Sequence, residues 1–333
     1  MEQNEKSGKL LEVKDLRVSF FTPAGEVKAV SGISYDLDYD EVMGIVGESG
    51  SGKSQEAYSI MGLLQSPGKV IGGSITFEGR DVLAFSKKEM ASFRGSEVAM
   101  IFQNPMTCLN PVYTVGNQLI EALRAHDKKI SKADAAKRAM EMLELVGINN
   151  VAKRMKQYPH EFSGGMRQRV MIAMALACDP ELLIADEPTT ALDVTIQAQI
   201  LDLINRLREK LGMAVLLITH DLGVVAETAD KVVVMYCGRV VEQATVEQLF
   251  TKPLHPYTQG LLDSIPKMDE DKERLYMIKG IVPDPIHLPK GCSFADRCDK
   301  CMEKCKEHMP KLARTEDGRK VRCFLISDEV EGE

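Results

Sequence analysis

The sequence lacks any long apolar run: no stretch approaches the about 18 consecutive apolar residues that a membrane-spanning helix needs. Its opening stretch, MEQNEKSGKL, carries charges where a secretory signal peptide would have an apolar core. We therefore expect the chain to stay in the cytosol. If it works at a membrane, it reaches that membrane by docking on other subunits.

The sequence also has fewer basic than acidic residues. The 42 lysine and arginine residues are outnumbered by 49 aspartate and glutamate residues, which gives a formal net charge of -7. This balance argues against a surface built to neutralise the phosphates of a nucleic acid. Hydrophobic residues make up 44% of the 333 residues, enough for a sizeable core, and the length favours about two domains, one large and one small.

The order of predicted strands and helices is typical of the α/β class. Short β segments fill residues 10–46, and their last apolar strand, 42–46, is followed by a glycine-rich loop and a helix expected over 55–64. Helical periodicity dominates residues 115–180. Further strands are expected at 182–185, 214–219 and 231–236, with a helix over 194–211. This alternation predicts a largely parallel sheet preceded by an antiparallel β region.

The stretch GESGSGKS fits the phosphate-loop pattern G-x-x-x-x-G-K-[ST] and lies between a predicted strand and a predicted helix. Glycines in such a loop let backbone N–H groups turn towards phosphate oxygens, and the helix N-terminus adds positive potential. The pattern assigns the lysine to the β and γ phosphates of a nucleotide and the serine to Mg²⁺. The alternative is a merely flexible loop. The predicted nucleotide-binding residues are Gly47, Glu48, Ser49, Gly50, Ser51, Gly52, Lys53 and Ser54.

Two carboxylates, Asp186 and Glu187, follow the apolar strand LLIA. Ligands of parallel sheets bind at this edge, where the strands end. Asp186 suits the Mg²⁺ shell, and Glu187 suits the activation of an attacking water. On its own, such a pair is also typical of the acidic first turn of a helix, so the assignment depends on the phosphate loop upstream.

The segment FSGGMRQRV, residues 162–170, resembles the signature motif of the ATP-binding subunits of ABC transporters, and it precedes the acidic strand as it does in that family. The resemblance implies an ABC cassette with a mixed sheet, an antiparallel β subdomain and a helical subdomain at about 104–180. It also implies that the signature residues contact the γ-phosphate held by a second ATPase subunit. Those residues are Ser163, Gly164 and Gly165.

Other positions of the family pattern occur in order along the chain. The resemblance assigns Gln103 to Mg²⁺ or the attacking water, Asp193 to the loop Ala191-Leu192-Asp193 that follows the carboxylates, and His220 to the γ-phosphate. It makes Phe20, or its neighbour Phe21, the candidate for stacking on adenine, with core packing as the alternative. The chain departs from the family at Asp40, where a glycine is usual, which leaves the local turn open.

The last 80 residues, 254–333, are rich in proline and hold five of the eight cysteines. The run LPKGCSFADRC resembles the C-terminal extension of oligopeptide and dipeptide transporter ATPases, and that resemblance points to a [4Fe-4S] cluster. Thiols clustered in a reducing compartment favour a metal or a cluster over disulfides. Cys301 offers a rival pair with Cys298 for zinc, and free or oxidised thiols are a third possibility. The expected cluster ligands are Cys292, Cys298, Cys305 and Cys323.

Together these features predict an ATPase domain over 1–253 and a small cysteine-rich module over 254–333. By resemblance, the chain binds ATP and Mg²⁺, pairs with a second ABC ATPase subunit, identical or related, and powers the import of di- or oligopeptides. It works through membrane-spanning permease subunits at the cytoplasmic face of the membrane, with an extracytoplasmic peptide-binding protein as an indirect partner. The alternatives are an importer of nickel or another chelated metal, a non-transport ABC ATPase acting on nucleic acid, and a redox or iron-storage module.

Overall fold

The computed structural model describes residues 8–104, 108–190, 192–265 and 277–332. The chain forms two compact units. One, the loop unit, comprises Gly8–Asp38, Val42–Ala84 and Ile218–Glu333, and the other, the helical unit, comprises Tyr39–Glu41 and Phe85–Leu217. Among the described residues, no helix has both the length and the apolar character to cross a membrane.

Within the described residues, the strands are β1 Lys9–Thr22, β2 Gly25–Asp38, β3 Val42–Val46, β4 Gly68–Phe77, β5 Arg80–Asp81, β6 Val98–Ile101, β7 Leu182–Asp186, β8 Ala214–Thr219, β9 Lys231–Tyr236, β10 Arg239–Thr245, β11 Ala313–Arg314 and β12 Lys320–Val321. The helices are α1 Lys53–Ile60, α2 Lys87–Ser96, α3 Val115–His126, α4 Lys132–Leu145, α5 Val151–Arg154, α6 Gly164–Ala175, α7 Val194–Leu211, α8 Leu222–Thr228, α9 Val246–Thr251, α10 Pro256–Asp263 and α11 Glu303–Glu307. Helix α2 has non-helical backbone at Arg94 and Gly95.

The loop unit contains the predicted antiparallel β region. Four strands pair in the order β2-β1-β4-β5. Along β1, Leu11, Val13, Leu16 and Val18 are buried and separated by more exposed residues, and the alternation breaks at Lys14 and Asp15, where the register shifts. A second set of strands in this unit follows the order β11-β12-β10-β9-β3, in which β3 and β9 run parallel and the other pairs antiparallel. All five residues of β3 are buried, which explains its unbroken apolar sequence.

Helix α1 follows the glycine-rich loop, but it begins at Lys53 rather than at the expected residue 55 and ends at Ile60 rather than at residue 64. The reason for the early end is Gly62, whose φ of 58° places it in the left-handed region that commonly terminates helices. The boundary is a local effect of one glycine.

The helical unit pairs β6 and β7 in parallel and packs its helices by their apolar faces. Helix α4 buries Ala139, Met142, Leu143 and the adjoining Val146, the face expected from the 3.6-residue period. Asp40 adopts a φ of 57°, so the turn that is usually built on glycine is made here by an aspartate, one of the residues that tolerate this conformation.

The described part of residues 254–333, called the C-terminal tail, belongs to the loop unit. Its strand β12 pairs with β10, and its Phe294 packs against Tyr236, Tyr257 and His255. The expected boundary between residues 253 and 254 stays a prediction.

Candidate functional site

The loop between β3 and α1 carries the predicted phosphate-binding residues. Gly50 and Gly52 have φ values of 78° and 99°, a conformation that side chains with a Cβ disfavour. Lys53 is only 5% exposed, and its ammonium group donates to the carbonyl oxygens of Gly47 at 2.7 Å and Glu48 at 3.0 Å. The loop therefore folds back around its own lysine, with Ser54 half-buried in the first turn of α1.

Close packing fixes the shape of this loop. A Cβ added to Gly52 would contact the backbone carbonyl oxygen of Ala29, and one added to Gly47 would contact that of Met235. A merely flexible loop would not need glycine at these two positions. The structure thus favours the nucleotide-binding interpretation of the motif over the flexible-loop alternative.

The acidic pair lies at the end of β7 in the helical unit, where it was expected. Asp186 is 1% exposed, whereas Glu187 is half-buried and has a φ of 45°. The Glu187 carboxylate accepts hydrogen bonds from the Gln103 side-chain amide at 2.7 Å and from the Thr190 hydroxyl at 2.8 Å, both to the same oxygen. The structure therefore brings together the predicted general base and the predicted glutamine.

The signature segment begins helix α6 in the same unit. Ser163 caps the helix by accepting a hydrogen bond from the Met166 N–H, and both Ser163 and Gly164 are exposed. A Cβ on Gly165 would approach Ile196 to 2.9 Å, so α6 and α7 pack closely at this glycine. The exposed helix start presents N–H groups and positive potential to any anion outside the unit.

Sequence reasoning missed two residues of this region, Gln168 and Thr190. The Gln168 side chain is 1% exposed and donates at 2.6 Å to the carbonyl oxygen of Pro188, which ties α6 to the segment after Glu187. The sequence signal that could have identified Gln168 was a polar residue on the apolar face of α6, four residues before Ile172. Thr190 gave no such signal, because its role depends on the turn after β7.

The other predicted site residues lie at the start of α7, directly after β8 and within β1. Asp193 caps α7 by accepting from the Ile196 N–H at 3.0 Å, and His220 is exposed directly after β8. Phe20 is half-buried with its ring against Gly68, while Phe21 is 49% exposed. Ala191, the first residue of the predicted Ala-Leu-Asp loop, lies outside the described residues.

The four cysteines predicted to act together line one small cavity in the tail. Cys292, Cys298, Cys305 and Cys323 surround about 20 Å³, room for about one water molecule, and Cys301 does not line it. Burial raises the pKa of Cys292 to about 12 and also raises the pKa of Cys298 and Cys323.

The prediction of an iron–sulfur or metal-binding module is not supported. Within residues 8–104, 108–190, 192–265 and 277–332, no group of three or more histidine, cysteine or acidic side chains is placed to hold a metal ion. Four thiols suit a cluster as donors, but the cavity that they line measures only about 20 Å³, and burial raises the pKa of Cys292, which favours the neutral thiol over the thiolate that a metal ligand must be. None of the eight cysteines, all of which lie within the described residues, forms a disulfide.

The glycine-rich loop packed around the buried Lys53 has the form of the phosphate-binding element of P-loop ATPases. The Ser-Gly-Gly start of α6 resembles the signature motif of ABC proteins, so loop and helix start together indicate an ABC-type ATP-binding cassette. Comparison with known proteins agrees with this class. Residues 30–190 match the model of the ABC transporter family, and residues 241–305 match that of the oligopeptide/dipeptide transporter C-terminal region.

Similar proteins extend over nearly the whole chain. The oligopeptide transport ATP-binding protein AppD of Bacillus subtilis is 55% identical over 96% of this chain and 98% of its own length. The dipeptide transport ATP-binding protein DppD of the same organism is 52% identical over 97% of this chain and 96% of its own. The chain belongs to the family of ABC transporter ATP-binding proteins, in the branch that carries the oligopeptide/dipeptide transporter C-terminal region.

Among solved structures, the dimeric post-hydrolysis form of the ATP-binding cassette MJ0796, bound to ADP and Pi, has a TM-score of 0.63 and 25% identity. The match covers 71% of this chain and 98% of that one. The shared fold is the ABC cassette with its mixed sheet.

Proposed function

We propose that this ABC ATPase powers the import of di- or oligopeptides through separate permease subunits, working at the cytoplasmic face of the membrane. The observation that carries the proposal is the agreement, over nearly the full length, with ATP-binding proteins of oligopeptide and dipeptide transport. The C-terminal match supports the same branch.

In the proposed site, Lys53 binds the β and γ phosphates of ATP, and Ser54 and Asp186 would hold Mg²⁺, which would neutralise phosphate charge. Glu187 accepts the proton of the attacking water, and Gln103 orients the water and the carboxylate together. Ser163, Gly164 and Gly165 of the second ATPase subunit complete the site at the γ-phosphate. His220 contacts the γ-phosphate, Asp193 lies at the subunit contact, and Phe20 is the proposed adenine platform.

The hydrogen bonds of Glu187 support its assigned role. Two donors, on Gln103 and Thr190, bind the same carboxylate oxygen, so the orientation of the base is fixed before substrate arrives. A base held in this way needs little reorganisation when it takes a proton.

Substitution of Glu187 tests this role. Glu187→Gln keeps the shape and the donors but removes the basic oxygen, so we expect ATP turnover to fall by about 10²-fold or more while ATP binding persists. Glu209→Gln, at an exposed position on α7, is the matched control and should leave turnover unchanged. Full turnover by Glu187→Gln would show that another group is the base.

We also propose that Cys292, Cys298, Cys305 and Cys323 bind a [4Fe-4S] cluster, for which the thiols would have to move apart. Support comes from their shared cavity, from which Cys301 is absent. The test is iron and sulfide analysis, with visible absorption, of anaerobically purified protein. Loss of iron in Cys292→Ser and retention in Cys301→Ser are expected. Stoichiometric zinc, or no metal at all, would contradict the proposal.

The cargo is tested in a separate experiment. The chain is purified with the membrane subunits that accompany it and reconstituted in vesicles, and ATP-dependent uptake of labelled di- and oligopeptides is measured. Uptake of peptides is expected. Uptake of a nickel chelate in place of peptides would overturn the assigned cargo.

A further inference from the structure

One tail residue, Arg297, reaches the phosphate loop across 249 positions of sequence, with both partners in the loop unit. Its guanidinium donates to both carboxylate oxygens of Glu48, at 2.6 Å and 3.0 Å, and its side chain is 5% exposed. Such a bidentate pair fixes both distance and orientation. Glu48 is the first residue after Gly47 in the loop, so the contact acts on the phosphate-binding element itself.

A second tail group holds the main chain of the same residue. The Glu48 N–H donates at 2.9 Å to the hydroxyl oxygen of Tyr257, which is fully buried. Burial raises the pKa of this phenol above its usual value, so the hydroxyl is neutral at physiological pH. Tyr257 packs against Tyr236 of β9 and Phe294 of the tail, with ring centroids 4.7 Å and 5.4 Å away, so its position is set by this aromatic cluster.

Glu48 in turn contacts the lysine of the loop, because its carbonyl oxygen accepts from Lys53 Nζ at 3.0 Å. A single residue therefore separates Arg297 from the ammonium group assigned to the phosphates. Glu48 is also a negative charge in the loop that binds a negatively charged ligand. The adjacent guanidinium neutralises it, and an unpaired Glu48 would repel the triphosphate.

We propose that Arg297 is a positioning residue of the ATP site: through Glu48 it holds the phosphate loop in its binding shape and cancels a charge that opposes ATP. The inference rests on the proposed assignment of residues 47–54 to ATP. It gives the C-terminal tail a role in nucleotide affinity that is independent of whether the cysteine cavity holds a cluster.

The experiment measures the dissociation constant of a fluorescent ATP analogue, and the KM and kcat of ATP hydrolysis, in the full chain. Arg297→Ala should weaken binding and raise KM about tenfold with little change in kcat, because ground-state binding is what it removes. Adding Glu48→Gln should restore most of the affinity, since the repelling charge is then gone. A purely structural role would not produce this rescue.

Two controls separate the possible outcomes. Arg319 lies in the same tail, has a side chain that is also 5% exposed and pairs with Asp317, so Arg319→Ala should lower stability without changing ATP affinity. Lys53→Ala tests the site itself: undiminished binding there would overturn the phosphate-loop assignment. If Lys53→Ala abolishes binding while Arg297→Ala leaves affinity unchanged, or weakens it no more than Arg319→Ala does, the role of Arg297 is overturned.

If Arg297→Ala does not fold, the milder variant Arg297→Lys still tests the proposal. Arg297→Lys keeps the charge and loses the fork geometry, so it should weaken ATP binding less than the alanine variant but measurably. A dissociation constant for the ATP analogue in Arg297→Lys equal to that of the wild-type chain would contradict the proposal.

Discussion

Substitution of Gly52 tests whether the phosphate loop is packed or open. Gly50 and Gly52 lie two positions apart with similar φ values of 78° and 99°, but a new Cβ meets the Ala29 carbonyl oxygen only at Gly52 and nothing within 4 Å at Gly50. Alanine at a positive φ costs about 1–2 kcal/mol at either position. Overpacking adds about 1–3 kcal/mol at Gly52 alone.

We therefore expect Gly52→Ala to lower the free energy of unfolding by about 2–5 kcal/mol and Gly50→Ala by about 1–2 kcal/mol. Urea denaturation of both variants measures this difference. Gly79→Ala is a control outside the loop, since Gly79 has a φ of 76° and nothing within 4 Å, and it should match Gly50→Ala. Equal losses in the two loop variants would refute the packed loop.

Two further predictions concern buried polar groups. Burial lowers the pKa of His255 from 6.5 to about 3, so between these pH values the unfolded chain binds more protons than the folded protein does. The free energy of unfolding therefore decreases as the pH falls below about 6.5, by up to about 1.4 kcal/mol per pH unit. His255→Gln should flatten this slope in urea midpoints measured from pH 6.5 to pH 5; an unchanged slope would rule out His255 as its source. Gln168→Leu removes the donor to the Pro188 carbonyl and should lower the free energy of unfolding by about 1–3 kcal/mol. It should also reduce ATP turnover more than ATP binding, because the bond joins α6 to the segment after Glu187. Wild-type turnover in this variant would contradict a link between α6 and Glu187.

Sequence alone predicted the features that depend on neighbouring residues. The phosphate loop, the strand before Asp186 and the helix over 194–211 each lie within a short segment, and the backbone conformations they need are encoded there. The predicted end of α1 at residue 64 is wrong because Gly62, in the left-handed region, terminates the helix earlier.

Contacts between distant segments could not be predicted in this way. Gln103 and Glu187 are 84 positions apart, and their hydrogen bond exists only because the fold brings them together. The same holds for Arg297 and Glu48, whose residue types are both common on surfaces. The family resemblance assigned four thiols that share a cavity, but whether they bind a ligand depends on distances that the sequence does not fix.

The central claim is that ATP is bound between the phosphate loop of one ATPase chain and the Ser163 helix start of another. Mixing two defective variants of this chain tests it most directly, in a Glu187→Gln background that preserves ATP. Lys53→Ala and Ser163→Glu should each fail to associate with ATP when alone. Their mixture should associate, because one of its two shared sites combines an intact loop with an intact helix start. If the parent Glu187→Gln chain associates with ATP, a mixture as inert as either variant alone would contradict the account.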